Sequence, residues 1–510
     1  MSVGARTSEN MPNGSKARKV QASESGPAKK VAGKAAVAGK AAVAPKSSMV
    51  AKKTSAASVR KSAAAAKAKE RAAAKGKKAP KVSPRPKKAA APKEAKEAGL
   101  PAPAPFLKAR TAAAHGLAQR ATAGGTVLVF GNGDCGQLGL GEDMIERKKP
   151  FALPELSDKQ IVDIACGGLH TMALTADGRL WSWGCNDQKV LGRDGDEFVA
   201  APVAGLDGVR IARVACSDSA TFALSDDGHV YSWGTFRGSE GIMGFTENIL
   251  IQALPLVINA FREPIVDICA GGDHALALSA SGKVYAWGCG QQGQLGRLIM
   301  ERRRLHGLTP ERLRIIDIQH IGCGAYHSFA VAKDGSVLAW GLNNFHQLGI
   351  APSQGGNDPV VYEPTPVAAL KNVGVVKIGG GEHHSVALTS DGKLYTFGRS
   401  DSHQTGLPFS TLPIDTPASG SEVSHKKAIS VPTLVPSLSS LTDVTCGTNH
   451  NLALDADGNA YSWGFGEMLQ LGNGEEEDIQ LPTLLKGQKI DGKKILKVGA
   501  GGQHSVIVAT

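Results

Sequence analysis

The chain has 510 residues, room for two or three domains, and a formal net charge of +12. The charge is split. Residues 1–125 hold 28 of the 58 Lys and Arg but 5 of the 46 Asp and Glu, a net of +23, while the remainder holds 30 against 41, a net of −11. There is no apolar run of ~18 residues and no apolar stretch near the N-terminus, so neither a membrane-spanning helix nor a secretory leader is expected.

The first segment, 1–125, is mostly Ala, Lys, Pro, Ser and Gly, with Phe106 its only aromatic residue. It offers too little apolar surface to offset the entropy of ordering, so it is expected to be a disordered basic tail. Its Ala-rich part, 62–78, could become helical on an anionic partner. Lys77, Lys78, Arg85, Lys87 and Lys88 surround Ser83-Pro84 and look like a nuclear-import signal that also contacts DNA, with an importin as its reader. A solvated linker is the alternative.

From residue 126 to 510 one unit recurs. Its clearest copy is AGGDHALALSASGKVYAWGCGQQGQLG, residues 270–296. A Gly pair and a His lead into an alternating apolar run. A Ser-Gly or Asp-Gly step then turns the chain, and a second run ends in an aromatic residue and Gly. Two such runs around a Gly turn predict a β-hairpin. The His falls at His170, His274, His327, His384, His450 and His504, with Ala220 in its place in the second copy. Repeats of roughly 40–50 residues with several strands each predict propeller blades. The last copy stops at Thr510 after its first run, and its missing half is found at Val127–Gly131. The two ends are therefore expected to share one blade and close an all-β, seven-bladed propeller, which removes exposed sheet edges.

Gly131-Asn132-Gly133-Asp134-Cys135-Gly136 matches a dinucleotide-binding GxGxxG. It recurs at residues 288–293 in the same place of the repeat, and both copies run into Gln-Leu-Gly rather than a helix. Blade loops are the better reading. The eight Cys all lie in the repeats, with Cys166, Cys216, Cys269 and Cys446 at the ends of apolar runs, where a small buried hydrophobe suits a reducing compartment. There is no CxxC pair, and a ring would spread the His residues too widely for one tetrahedral site, so no metal or cofactor is expected. The His row reads best as a structural position bonded to a neighbouring blade. No acid–base pair or nucleophile triad is evident, which leaves binding as the chemistry.

The repeats resemble those of the regulator of chromosome condensation family, over about residues 126–510. The likeness is sharpest at 132–150, at Gly184-Cys185-Asn186-Asp187 and Leu191-Gly192-Arg193-Asp194, and at Trp233-Gly234-Thr235-Phe236-Arg237 followed by Gly241-Ile242-Met243-Gly244, which is similar to a wedge segment of that family. The resemblance implies a chromatin-bound nuclear exchange factor for the small GTPase Ran, acting by binding without a covalent step. It implies GTPase contacts for Asp134, His170, Asp218, Arg237, Gly241, Ile242, Asp273, Arg297, His384 and His504. It also implies that Arg302, Arg303 and Arg304, in the segment 298–315, engage the acidic patch of core histones, with nucleosomal DNA as a further partner and the protein a monomer. Two stretches depart from the pattern: 216–220 lacks the Gly and the His, and the wedge tip Gly238-Ser239-Glu240 differs in its polar residues. Asp273 stands where other copies have Leu169, Ser219, Tyr326, His383, Asn449 and Gln503. An acid in one copy alone is expected to lie exposed, free to pair with a GTPase cation. A propeller scaffold on chromatin without exchange activity is the alternative reading.

Overall fold

The computed structural model describes residues 116–118, 121–415, 424–425 and 427–510; the import-signal residues Lys77, Lys78, Arg85, Lys87 and Lys88 and most of the expected disordered tail lie outside them, but the end of that segment is ordered, with Ala118 buried in a core seam and Gly125 bridged to Ile161. Seven four-stranded antiparallel sheets form the blades.

Blade 3 shows how the repeat folds. Ile265–Ala270 is its inner strand, His274–Ser279 the second, Val284–Gly288 the third and Glu311–Arg312 a short outer strand. Every residue of the second strand is buried, because both its faces meet neighbouring blades. The Ser281-Gly282 step turns with Gly282 at φ +79°, as the hairpin reading requires. Gly288 closes the third strand at φ +111°, and a Cβ there would lie 2.5 Å from the carbonyl oxygen of Asp273, so only Gly fits.

Blades 1, 2, 4, 5 and 6 repeat this order, with inner strands Ile161–Cys166, Ile211–Cys216, Ile318–Cys323, Val375–Gly380 and Leu441–Cys446. Blade 7 is composite. Ile495–Ala500 and His504–Ala509 supply its inner and second strands, and Thr126–Asn132 and Glu146–Ala152 complete it from the other end of the chain. The register runs from Thr126 opposite Ala509 to Gly131 opposite His504. The expected ring closure is thus present.

The core is a series of apolar seams between blades, each centred on an aromatic residue ending a third strand, such as Trp183, Trp340, Phe397 or Trp463. The indole N–H groups of Trp183 and Trp340 donate to the carbonyl oxygens of Gln137 and Gln294, both at 2.9 Å. These are the Gln residues of the Gln-Leu-Gly loops, so the GxGxxG-like stretches serve as blade loops. Among the described residues no helix is long and apolar enough to cross a membrane.

Candidate functional site

Because neighbouring strands alternate direction, the turn after each inner strand and the excursion after each third strand fall at the same end of the ring. The Gly-pair turns ring the mouth of the central channel there: Gly167, Gly168, Gly271, Gly272, Gly381, Gly447 and Gly502 all line it.

The repeat His sits just beneath this rim. His170 Nε2 lies 3.1 Å from Thr221 Oγ1, His274 Nε2 2.7 Å from Ser328 Oγ, and His327 Nε2 2.8 Å from Ser385 Oγ. His384 meets Asn451 Oδ1, His450 meets Ser505 Oγ and His504 meets Thr171 Oγ1, each at 2.8 Å. Every link joins one blade to the residue after the His position of the next. Burial depresses His170 to about 3 and His384 and His504 to about 4, so these rings are neutral. The expected direct GTPase contact of His170, His384 and His504 does not fit this placement: they are at most 1% exposed and already bonded to the adjacent blade.

Blade 2 breaks the series at both partners. Ala220 replaces the His, and Ala275 in blade 3 replaces the hydroxyl residue. The gap is filled by Phe222, Phe236 and Trp287, with Phe222 edge-on to Trp287 at 5.6 Å. Exchanging both members of a hydrogen-bonded pair for apolar groups leaves no orphan, so the missing His is compensated.

Phe236 also anchors the wedge. Phe236–Gly238 and Gly241–Gly244 form a two-stranded hairpin that leaves the ring after Gly234. Phe236 is buried and Met243 packs on the same seam, whereas Arg237 is exposed and Ile242 is 43% exposed. Two contacts pin the hairpin to blade 3. The Arg237 backbone N–H donates to Asp273 Oδ1 at 2.8 Å, and at the tip the Ser239 N–H donates to Gln291 Oε1 at 2.8 Å while Gln291 Nε2 donates to Ser239 Oγ at 3.1 Å.

Asp273 therefore differs from expectation. It is half-buried, and one carboxylate oxygen is engaged by the wedge backbone. Desolvation pushes its carboxyl up to about 7; the Arg237 N–H opposes this and Asp218 adds to it. Asp218 lies exposed in the mouth, with its carboxylate against Gly168 and Gly272, where a Cβ on either would stand 2.8 and 3.4 Å from its oxygens. The crowded rim pushes it up to about 6, with Glu382 across the mouth contributing. The mouth thus gathers Asp218, Asp273 and Glu382 beside the exposed Arg237.

The remaining expected contacts scatter. Asp134 is exposed on the loop after Thr126–Asn132, within 3.5 Å of Gln137 Nε2. The Arg297 side chain is mostly buried and engaged within blade 3. Its Nη1 donates to the Ala286 carbonyl oxygen at 3.0 Å and its Nε lies 2.9 Å from Glu311, bracing the third and outer strands of blade 3. Arg302, Arg303 and Arg304 are exposed on a 3-10 helix, Glu301–Leu308, with Arg304 3.2 Å from Glu301. Leu308 of that helix is buried in the seam that holds Phe236.

Glu382 and Gln291 were not singled out from sequence, nor was a belt of charge inside the channel. The third residue of each inner strand is polar: Asp163, Arg213, Asp267, His320, Lys377, Asp443 and Lys497. Arg213 reaches Asp267 at 3.5 Å, Lys377 pairs with Asp443, and Lys497 lies 3.7 Å from Asp443 and 3.9 Å from Asp163. Flanked by two lysines, Asp443 is held below the usual carboxylate range despite its burial. A lone polar residue recurring in an apolar hexapeptide was the available signal.

Residues 126–507 match the family model described as the RCC1-like domain. The chain belongs to this family. Among members of the family, Protein pim1 of Schizosaccharomyces pombe is 40% identical across 75% of this chain and 74% of its own length. The guanine nucleotide exchange factor SRM1 of Saccharomyces cerevisiae is 36% identical across 74% and 86%. The crystal structure of Prp20p from Saccharomyces cerevisiae, described together with its binding to Gsp1p and histones, superposes with a TM-score of 0.72 at 36% identity, covering 77% of this chain and 93% of that one. Yeast RCC1 (Prp20) bound to Kap60 gives 0.73 at 36%, covering 79% and 94%.

Proposed function

We propose that this chain is a guanine nucleotide exchange factor for the small GTPase Ran, working in the nucleus while docked on chromatin. The observation that carries the reading is the wedge: a hairpin pinned at base and tip, presenting Arg237 and Ile242 beside an acidic mouth. A preorganised hairpin spends little ordering entropy when it presses on a partner. The kinship with SRM1 and with Prp20p, whose binding to Gsp1p and histones is described, supports both partners.

The mechanism is linkage. A protein that binds the nucleotide-free GTPase more tightly than the loaded form weakens nucleotide binding by the same factor, with no covalent step. Asp218 and Glu382 offer carboxylates to GTPase cations and steer encounter. Arg237 and Ile242 form the pressing surface, Gly241 shapes it at φ +101°, and Asp273 holds it in position. Arg302, Arg303 and Arg304 suit carboxylates of a histone surface, because Arg forms planar, bidentate pairs. The basic segment 1–125 suits DNA and an importin, and the kinship with RCC1 bound to Kap60 agrees.

The test is release of a fluorescent guanine nucleotide from Ran, with nucleosome binding followed in parallel. Exchange that survives replacement of Arg302, Arg303 and Arg304 by Ala while nucleosome binding falls would separate the two surfaces as proposed. Nucleosome binding without any exchange would instead favour the scaffold reading.

A further inference from the structure

Five inner strands carry a Cys near the channel mouth, but not all in the same register. In blades 1, 2, 4 and 6 the thiol is the sixth residue: Cys166, Cys216, Cys323 and Cys446. In blade 3, Ile265–Ala270, it is the fifth, Cys269. The difference matters because the sixth residue of one blade rests on the fifth residue of the blade before it. Cys216 Sγ lies 3.4 Å from the carbonyl oxygen of Ala165, the fifth residue of blade 1. A Cβ on Gly499, the fifth residue of blade 7, would stand 3.0 Å from Cys166 Sγ. The same rule brings the sixth residue of blade 4 onto the fifth of blade 3, and there both are cysteines: Cys269 Sγ and Cys323 Sγ are 3.0 Å apart.

We infer that Cys269 and Cys323 are a modification site, a dithiol pair that a hydroperoxide converts to a reversible disulfide joining the inner strands of blades 3 and 4. The sulfurs have about 1 Å to travel to bonding distance. Both line the central channel, a space of about 610 Å³ that admits small oxidants. The pair is electronically uneven. Burial works against both thiolates, but the Cys269 thiol and the His274 ring hold Cys323 below the usual thiol range, while Cys269 is pushed well above it. Cys323 is then the nucleophile. Its sulfur attacks one peroxide oxygen, the O–O bond breaks, and water leaves after taking up a proton, giving a sulfenic acid. The Cys269 sulfur displaces that hydroxyl, which leaves with the Cys269 proton as a second water. Two thiols and one hydrogen peroxide give one disulfide and two waters. The bond closes a loop between residues 54 apart and clamps the strands beneath the Asp273 turn.

The test uses the full chain treated with hydrogen peroxide, alkylated, and digested without reduction. The expected result is an intact mass lower by two hydrogens, one cross-linked peptide containing Cys269 and Cys323, reversal by dithiothreitol, and a melting temperature raised by a few degrees. Cys269→Ala and Cys323→Ala should each abolish the cross-link, and Cys216→Ala should leave it. The wild-type peptide map decides the matter even if a variant folds poorly. Cys269 and Cys323 both remaining alkylatable, or Cys323 advancing to sulfinic acid without a cross-link, or a cross-link between any other pair, would overturn the assignment.

Discussion

Asp273 gives the sharpest handle on how the wedge is held, because Ala and Asn separate its two attributes. Asp273→Ala removes the acceptor for the Arg237 N–H, a charge-assisted bond worth about 1.5–3 kcal/mol. Asp273→Asn keeps an oxygen for that bond and removes the charge. With the carboxyl at about 7 against an unfolded value of 3.8, the folded state binds its proton more tightly than the unfolded chain. Its contribution is fully present below the unfolded value and lost as pH rises through 7, to the extent of about 4 kcal/mol for the full shift. Partial openness to the mouth reduces this to about 2 kcal/mol. Asp273→Asn should therefore raise the melting temperature by about 2–4 °C at pH 7.5, and Asp273→Ala should leave it nearly unchanged. If Asp273 acts by positioning the wedge, Ala should slow nucleotide release from Ran by about tenfold, ~1.4 kcal/mol, and Asn by less than about threefold. Normal release by the Ala variant would refute the tether. Equal loss in both variants would show that the charge matters, as the sequence alone suggested.

Two further outcomes follow from buried charge. Asp443→Asn leaves Lys377 and Lys497 without the carboxylate they share, and should cost about 1–3 kcal/mol, seen as a lower melting temperature that partly recovers when Lys377→Met is added; an unchanged melting curve would show that the channel belt contributes nothing. Acidification should destabilise the propeller: His170, His327, His384, His450 and His504 are all depressed by burial, so the unfolded chain takes up more protons below about 6.5. Asp163, Asp218, Asp267 and Asp273, all raised by burial, act in the opposite sense but are four against five, so melting temperature should fall between pH 7 and 5; a rise would mean that the carboxyls outweigh the rings.

Much of the fold was legible because each repeat carries its own turn chemistry. Asp-Gly and Ser-Gly steps, the aromatic-Gly endings and the divided last copy locate seven blades and their closure. The wedge and Asp218 were legible through the resemblance. What sequence could not give was orientation. The His row was read as bonded to a neighbouring blade, and His274 does meet Ser328, but the acid beside it was expected to stand free, and only the path of the wedge brings the Arg237 N–H to Asp273. Arg297 resembled a contact residue but is used on Ala286 of the third strand and on Glu311, which the short outer strand brings close. The Cys269 register shift of one residue was in plain view, but its meaning depends on which strand lies next to it.

The most direct test of the account is release of a fluorescent guanine nucleotide from Ran by the full chain and by variants of the pressing surface, Arg237→Ala and Ile242→Ala, each checked for an unchanged melting curve. The account predicts that the intact chain accelerates release at catalytic concentration, and that the double variant loses at least about tenfold while staying folded. A folded chain that leaves the release rate at its spontaneous value, or a double variant as active as the original, would contradict it.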